Sequence, residues 1–213
     1  LFDVQFFREG GNLVSDLPAK VGFRVVSRSG KGINFKGAIL DDRGDTVRHF
    51  KPLKFGIGHF NFIPASGRKY TAVLRDSLNR PLTRVDLPEV FSYGYTMHVS
   101  ETENGRLNIA VNMKHSSGEN QTVYLLIHTR GSVKVKDSRL TSAGSAAFVV
   151  DKNILDEGIS HITVFNRNSE PVCERLYFKR PDEALQITGN TNRQNYTSRK
   201  KVSVDLQVGD ESG

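Results

Sequence analysis

Apolar and polar residues alternate in short runs along nearly the whole chain. Lys20-Val21-Gly22-Phe23-Arg24-Val25 changes character at almost every step and stops at Ser27-Arg28-Ser29-Gly30. The pattern returns as Leu107-Asn108-Ile109-Ala110-Val111-Asn112-Met113, closed by Ser116-Ser117-Gly118. It returns again as Val202-Ser203-Val204-Asp205-Leu206-Gln207-Val208, closed by Asp210-Glu211-Ser212-Gly213. A period of two is the period of a strand with one buried face. Val21, Phe23 and Val25 are expected in a core, with Gly22, Arg24 and Val26 facing solvent or a neighbouring domain. Helix signals are nearly absent, and only Asp151 to Glu157 reads as one short turn.

Later segments repeat as well. Phe60-Asn61-Phe62-Ile63, a turn at Gly67, Tyr70-Thr71-Ala72-Val73-Leu74 and a polar loop to Pro81 have a second copy. There Ala147-Phe148-Val149-Val150 leads to Gly158, then to Ile159 through Phe165, then to Pro171. The steps are 88 residues from Phe60 to Phe148, 91 from Gly67 to Gly158 and 90 from Pro81 to Pro171. Such a period means stacked units. The expected division is one β-sandwich repeat over 1–92, a second over 93–180, and over 181–213 a linker with the opening strands of a third. The fold class is therefore all-β: tandem immunoglobulin-like antiparallel sandwiches. Junctions are expected near Leu87 to Tyr93, stiffened by Pro88, and at Lys179-Arg180-Pro181-Asp182-Glu183. Phe55, Ile57 and Phe91 are the apolar residues expected at an inter-unit contact. Tyr70, after Gly67-Arg68-Lys69, fits a tyrosine corner; β propensity alone also places Tyr at a strand start.

A family resemblance rests on these residues. Phe6-Phe7-Arg8-Glu9-Gly10-Gly11-Asn12-Leu13-Val14, Lys20 to Phe23, Gly30-Lys31-Gly32 and Gly56-Ile57-Gly58-His59-Phe60 resemble the macroglobulin-like β-sandwich repeats of bacterial envelope proteins. In particular they resemble those that precede a plug domain of the TonB-dependent receptor type in large Gram-negative proteins. Leu185-Gln186-Ile187, Tyr196 and Lys201 to Val204 resemble the opening of a further macroglobulin domain. The resemblance implies a cell-envelope location, periplasmic or outer-membrane associated, with the rest of a longer polypeptide and other envelope proteins as partners. The start at Leu1 agrees with that expectation of a longer polypeptide. The thioester of protease-trapping macroglobulins needs a Gly-Cys-Gly-Glu-Gln stretch, and Pro171-Val172-Cys173-Glu174-Arg175 does not supply it.

Composition narrows the chemistry. The 213 residues include one Cys and no Trp, which leaves no internal disulfide and no Cys-rich zinc spacing. The longest apolar runs, such as Ala146 to Val150, are far too short to span a bilayer as a helix. His49, His59, His98, His115, His128 and His161 are scattered with no metal or general-base spacing. Asp41-Asp42-Arg43-Gly44-Asp45 reads as a hairpin turn rather than a calcium loop, since the distal Glu is missing. Gly30-Lys31-Gly32 and Gly56-Ile57-Gly58 read as turn glycines rather than phosphate loops. Asn120-Gln121-Thr122 and Asn195-Tyr196-Thr197 match a glycosylation sequon, which is idle in a bacterial protein. Cys173 suits a sandwich interior.

The formal net charge of +7 is uneven: 1–92 carries +6, 93–180 carries +2 and 181–213 carries −1. The basic residues of the first unit, among them Arg43, Arg48, Lys51, Lys54, Arg68, Lys69, Arg75, Arg80 and Arg84, are interleaved with Asp and spread over several turns. That suits a solvated surface, and no nucleic-acid partner is expected. No catalytic, cofactor or metal site is expected, and the chain is not expected to be an enzyme. The reading is a spacer and docking module; the alternative is a β-sandwich binding module for carbohydrate or peptide, with Tyr93, Tyr95 or Tyr124 as its aromatic platform.

Overall fold

A computed structural model describes residues 2–181 and 185–210. Glu211, Ser212 and Gly213 of the last expected turn, and Asp182 and Glu183 of the second junction, lie outside these residues.

The first nine strands are β1 (Phe2–Arg8), β2 (Leu13–Val14), β3 (Ala19–Ser27), β4 (Lys36–Asp41), β5 (Thr46–Phe50), β6 (Ile57–Phe62), β7 (Tyr70–Arg75), β8 (Pro81–Asp86) and β9 (Val90–Phe91). They form a sheet in the order β1-β3-β6, a sheet in the order β5-β4-β7-β8, and a short parallel ladder of β2 with β9. The next seven are β10 (Gly94–Glu101), β11 (Arg106–Lys114), β12 (Thr122–Thr129), β13 (Ser132–Leu140), β14 (Ser145–Asp151), β15 (Gly158–Phe165) and β16 (Pro171–Lys179). Their sheets, β10-β11-β14 and β13-β12-β15-β16, repeat the same three-plus-four order. The chain is thus all-β and built of antiparallel sandwiches. In both, the edge strand of the four-stranded sheet, β5 or β13, pairs with the strand before it, β4 or β12, and not with the strand after it, β6 or β14, unlike the constant-type immunoglobulin domain. Lys152–Ile154 is the expected short turn, a 3₁₀ helix capped by the Asp151 side chain, which accepts from the Asn153 amide.

Matched strands bury matched residues, but the two cores differ in substance. Phe23, Phe35, Phe50, Phe60, Phe62 and Tyr70 fill the first, with Phe23 and Phe50 edge to face at 4.9 Å. The second is aliphatic around Phe148, with Leu107, Ile109, Val111, Ile127 and Ile162. Tyr70 does make the corner: its hydroxyl accepts from the Ala65 amide at 2.8 Å. At the equivalent place the second sandwich has Ser160, whose hydroxyl bonds Thr129 at 2.7 Å in full burial.

Three expectations need correction. Val26 is buried, because the strand continues to a bridge with Gly32 that folds the following turn over it. Gly30 and Gly56 have positive φ, at 76° and 73°, but Gly32 and Gly58 are fixed by close approach instead. A Cβ on Gly32 would stand 2.0 Å from the Phe55 carbonyl carbon, and one on Gly58 2.5 Å from the Phe23 ring. Phe55 and Ile57 lie exposed around a tight turn, with the Lys54 ammonium over the Phe55 ring, and do not cover an inter-unit contact. Phe91 is also partly exposed, and contributes its carbonyl, which accepts from the Ser15 amide at 2.9 Å.

Strands β17 (Gln186–Thr191) and β18 (Val204–Gly209) form a hairpin. Ile187 pairs with Val208, Gly189 with Leu206 and Thr191 with Val204, which puts these six on one face. Ile187, Val204, Leu206 and Val208 are all exposed there.

Candidate functional site

The two sandwiches meet chiefly through paired backbone, with the buried Val14 side chain against Gly94 and Met97 against Gly10. After β1, Gly10 and Gly11 turn the chain with φ of 51° and 103° and lay it along β10. Gly11 bridges Thr96 in antiparallel fashion, the Met97 amide donates to the Gly10 carbonyl at 2.8 Å, and the Asn12 amide donates to the Tyr95 carbonyl at 3.3 Å. Only a residue without a side chain fits. A Cβ on Gly11 would stand 2.4 Å from the Tyr95 carbonyl oxygen and 2.8 Å from the Cys173 sulfur. On the other side of this strap the Lys114 ammonium reaches back to Ser15 Oγ at 2.8 Å and Asp16 Oδ2 at 2.7 Å.

An ionic cluster lies beside the strap. Glu9, whose side chain is 8% exposed, pairs with Arg175 of β16 and takes His98 Nδ1 at 2.7 Å, with Lys20 at 4.0 Å. Arg175 also donates to the Val99 carbonyl at 3.3 Å. Burial, and then the nearby Lys20 ammonium, hold the His98 pKa below its ordinary value. A carboxylate oxygen accepts, so His98 Nδ1 carries the proton and donates to Glu9.

Above this cluster the outer faces of the two three-stranded sheets diverge and enclose an open-sided cleft of about 480 Å³. Lys20 and Asn61, paired across β3 and β6, belong to one wall. Thr96, His98, Ala110 and Asn112, paired across β10 and β11, belong to the other. Leu13, Pro18, Phe62 and Met97 add apolar lining, and Arg8, Asn12 and Arg48 complete the polar boundary. Arg8 donates to Asn12 Oδ1 at 2.8 Å, and Asn112 Oδ1 accepts from Ser145 Oγ at 2.9 Å. Thr96 Oγ1 is buried with no hydrogen-bond partner among the described residues.

The residues singled out in the sequence fall in several places. Of the six histidines only His98 reaches the cleft. His128 and His161, directly paired across β12 and β15, stack with ring centroids 4.7 Å apart. Among the described residues no three His, Cys, Asp or Glu side chains are grouped to hold a metal ion. Asp41 forms the turn expected of its segment, its Oδ1 accepting from the amides of Arg43 and Asp45. Arg68 pairs with Asp42 and Arg80 with Asp76, so part of the basic excess is neutralised on the surface. Tyr95 packs on the second core with its hydroxyl donating to Gln121, while Tyr93 and Tyr124 are exposed on separate segments. None of the three lines the cleft. Cys173 is buried in the second core, and burial pushes its thiol up to about 12.

No protein-family model matches the sequence, and no curated protein matches it. The likeness to solved structures is weak, as three of them illustrate. The native conformation of Escherichia coli alpha-2-macroglobulin matches 96% of this chain at 12% identity and TM-score 0.28. A DUF4785 family protein from Legionella pneumophila matches 84% at 7% identity and TM-score 0.28. The FN1-FN3 domains of chicken CNTN1 match 82% at 13% identity and TM-score 0.29. The chain spans 16%, 56% and 64% of those chains. The fold rests on the strand order and register described above, not on these likenesses.

Proposed function

We propose that this chain is a non-catalytic spacer and docking module of a larger bacterial cell-envelope protein, in which two sandwich units, 1–92 and 93–180, are held at a fixed attitude. The observation that carries the reading is the glycine strap. Two units joined only by the Ser92–Tyr93 link would pivot, whereas Gly10 to Asn12 adds a second backbone connection to Tyr95 and Met97, and Glu9 beside it pairs with Arg175 of β16. A spacer needs this stiffness to present a neighbouring domain in one direction. The envelope setting is supported by the resemblance of the strand and glycine segments to bacterial macroglobulin repeats.

Small-angle scattering on the whole chain tests the fixed attitude. The native profile is expected to fit one compact arrangement, and Gly11→Val, which places a side chain against Tyr95 and Cys173, is expected to broaden it. A native profile that needs an ensemble of hinge angles removes the reading. Fractionation of source cells checks the setting, and recovery in the cytosolic fraction would count against it.

The cleft favours a second reading, in which the same rigid pair holds a ligand. Its volume falls within the range of ordinary ligand sites, about 300–1,000 Å³.

A further inference from the structure

We propose that the inter-sandwich cleft binds a short acidic peptide segment. The proposal rests on the interaction-module reading and names the chemistry of its partner. Three cations border the cleft, Arg8, Lys20 and Arg48, against one carboxylate, Glu9. That carboxylate is already engaged by Arg175, and Lys20 stands 4.0 Å from it. Arg8 is held by the neutral Asn12 amide, and no acidic side chain among the described residues pairs with Arg48. The cleft thus has a positive surplus between low-dielectric walls, where field lines concentrate and an anion is favoured.

The remaining groups separate peptide from sugar. Asn12, Asn61 and Asn112 each carry an amide, which can both donate to and accept from a peptide backbone. Of the aromatic residues only Phe62 lines the cleft, and it is 9% exposed, so no open ring face serves a sugar as a stacking platform. The tyrosines that the sequence suggested for such a platform lie elsewhere. Pro18 and Ile63, both exposed, give an apolar neighbourhood for one aliphatic side chain between the acidic ones. The guanidinium groups of Arg8 and Arg48 meet carboxylates in a forked, charge-assisted geometry.

The test is calorimetric titration of the whole chain with a capped hexapeptide of alternating Glu and Leu. The Lys-Leu hexapeptide and an oligogalacturonate serve as controls. Binding of the Glu-Leu peptide alone is expected, weakening as salt is raised. Arg48→Ala removes an exposed side chain that the fold does not need, and it is expected to weaken binding by about tenfold, as for loss of one charge-assisted bond. Equal binding of the Lys-Leu peptide, tighter binding of the oligogalacturonate, no binding of the Glu-Leu peptide, or an unchanged Arg48→Ala affinity each overturns the proposal. Scattering on the same samples separates the two readings: a compact chain that ignores the peptide loses only the ligand, and a hinged chain loses the rigid pair as well.

Discussion

At the scale of single residues, burial decides the chemistry. Cys173 is the one thiol of the chain, and in a polar surface position it would titrate near 9. In the second core its pKa is about 12, because the thiolate would lose its hydration there. The folded state therefore keeps its proton where the unfolded state releases it. Stability tied to this group is intact below pH 9 and is lost as pH rises from 9 toward 12. Labelling with a thiol reagent at pH 8 is expected to be slow in the native protein and fast after unfolding in guanidinium. Fast native labelling would show an open path to the sulfur. Arg175 is the other decisive residue, since Glu9 is nearly buried and depends on it. Arg175→Ala is expected to cost up to about 3 kcal/mol, read as a lower urea midpoint, because it leaves a carboxylate short of its counter-charge.

At the scale of elements, period-two alternation carried most of the fold. The runs at 20–25, 107–113 and 202–208 lie in or overlap β3, β11 and β18, and the landmarks Phe60 and Phe148 are buried on β6 and β14. Tyr70 was legible as well, because a Tyr shortly after a turn glycine has a defined structural use. Its hydrogen bond gives a direct check: Tyr70→Phe keeps the ring in the aromatic core and leaves the Ala65 amide without its partner. The expected loss is about 1 kcal/mol, visible as a lower melting temperature of the first sandwich. No change would mean that water replaces the hydroxyl. What the pattern did not disclose is how elements meet. Gly10-Gly11 reads locally as a turn, and its partner, Thr96, stands 85 positions later. Pairing through backbone amides leaves no mark in side-chain type except the glycines themselves. Apolar residues near the junction were the visible signal, yet Phe55 and Ile57 point to solvent. Walls of the cleft such as Asn61 and Asn112 are outward strand positions that look like any solvated face.

At the scale of the whole molecule, two sandwiches of the same topology have been given different interiors and different roles. The first has an aromatic core and most of the positive charge, and extends the strap. The second has an aliphatic core and supplies the edge strand and the arginine that receive it. The strap also orders events in time. Residues 10–12 leave the ribosome with the first sandwich, whose last strand ends at Phe91, whereas the second sandwich is not complete until Lys179, 88 residues later. At typical elongation rates that interval is about 4–18 s, long compared with the folding of a small β domain. The first sandwich is thus complete before the second, and the nascent chain carries a short, unpaired backbone segment that serves as a template on which the second sandwich is set down.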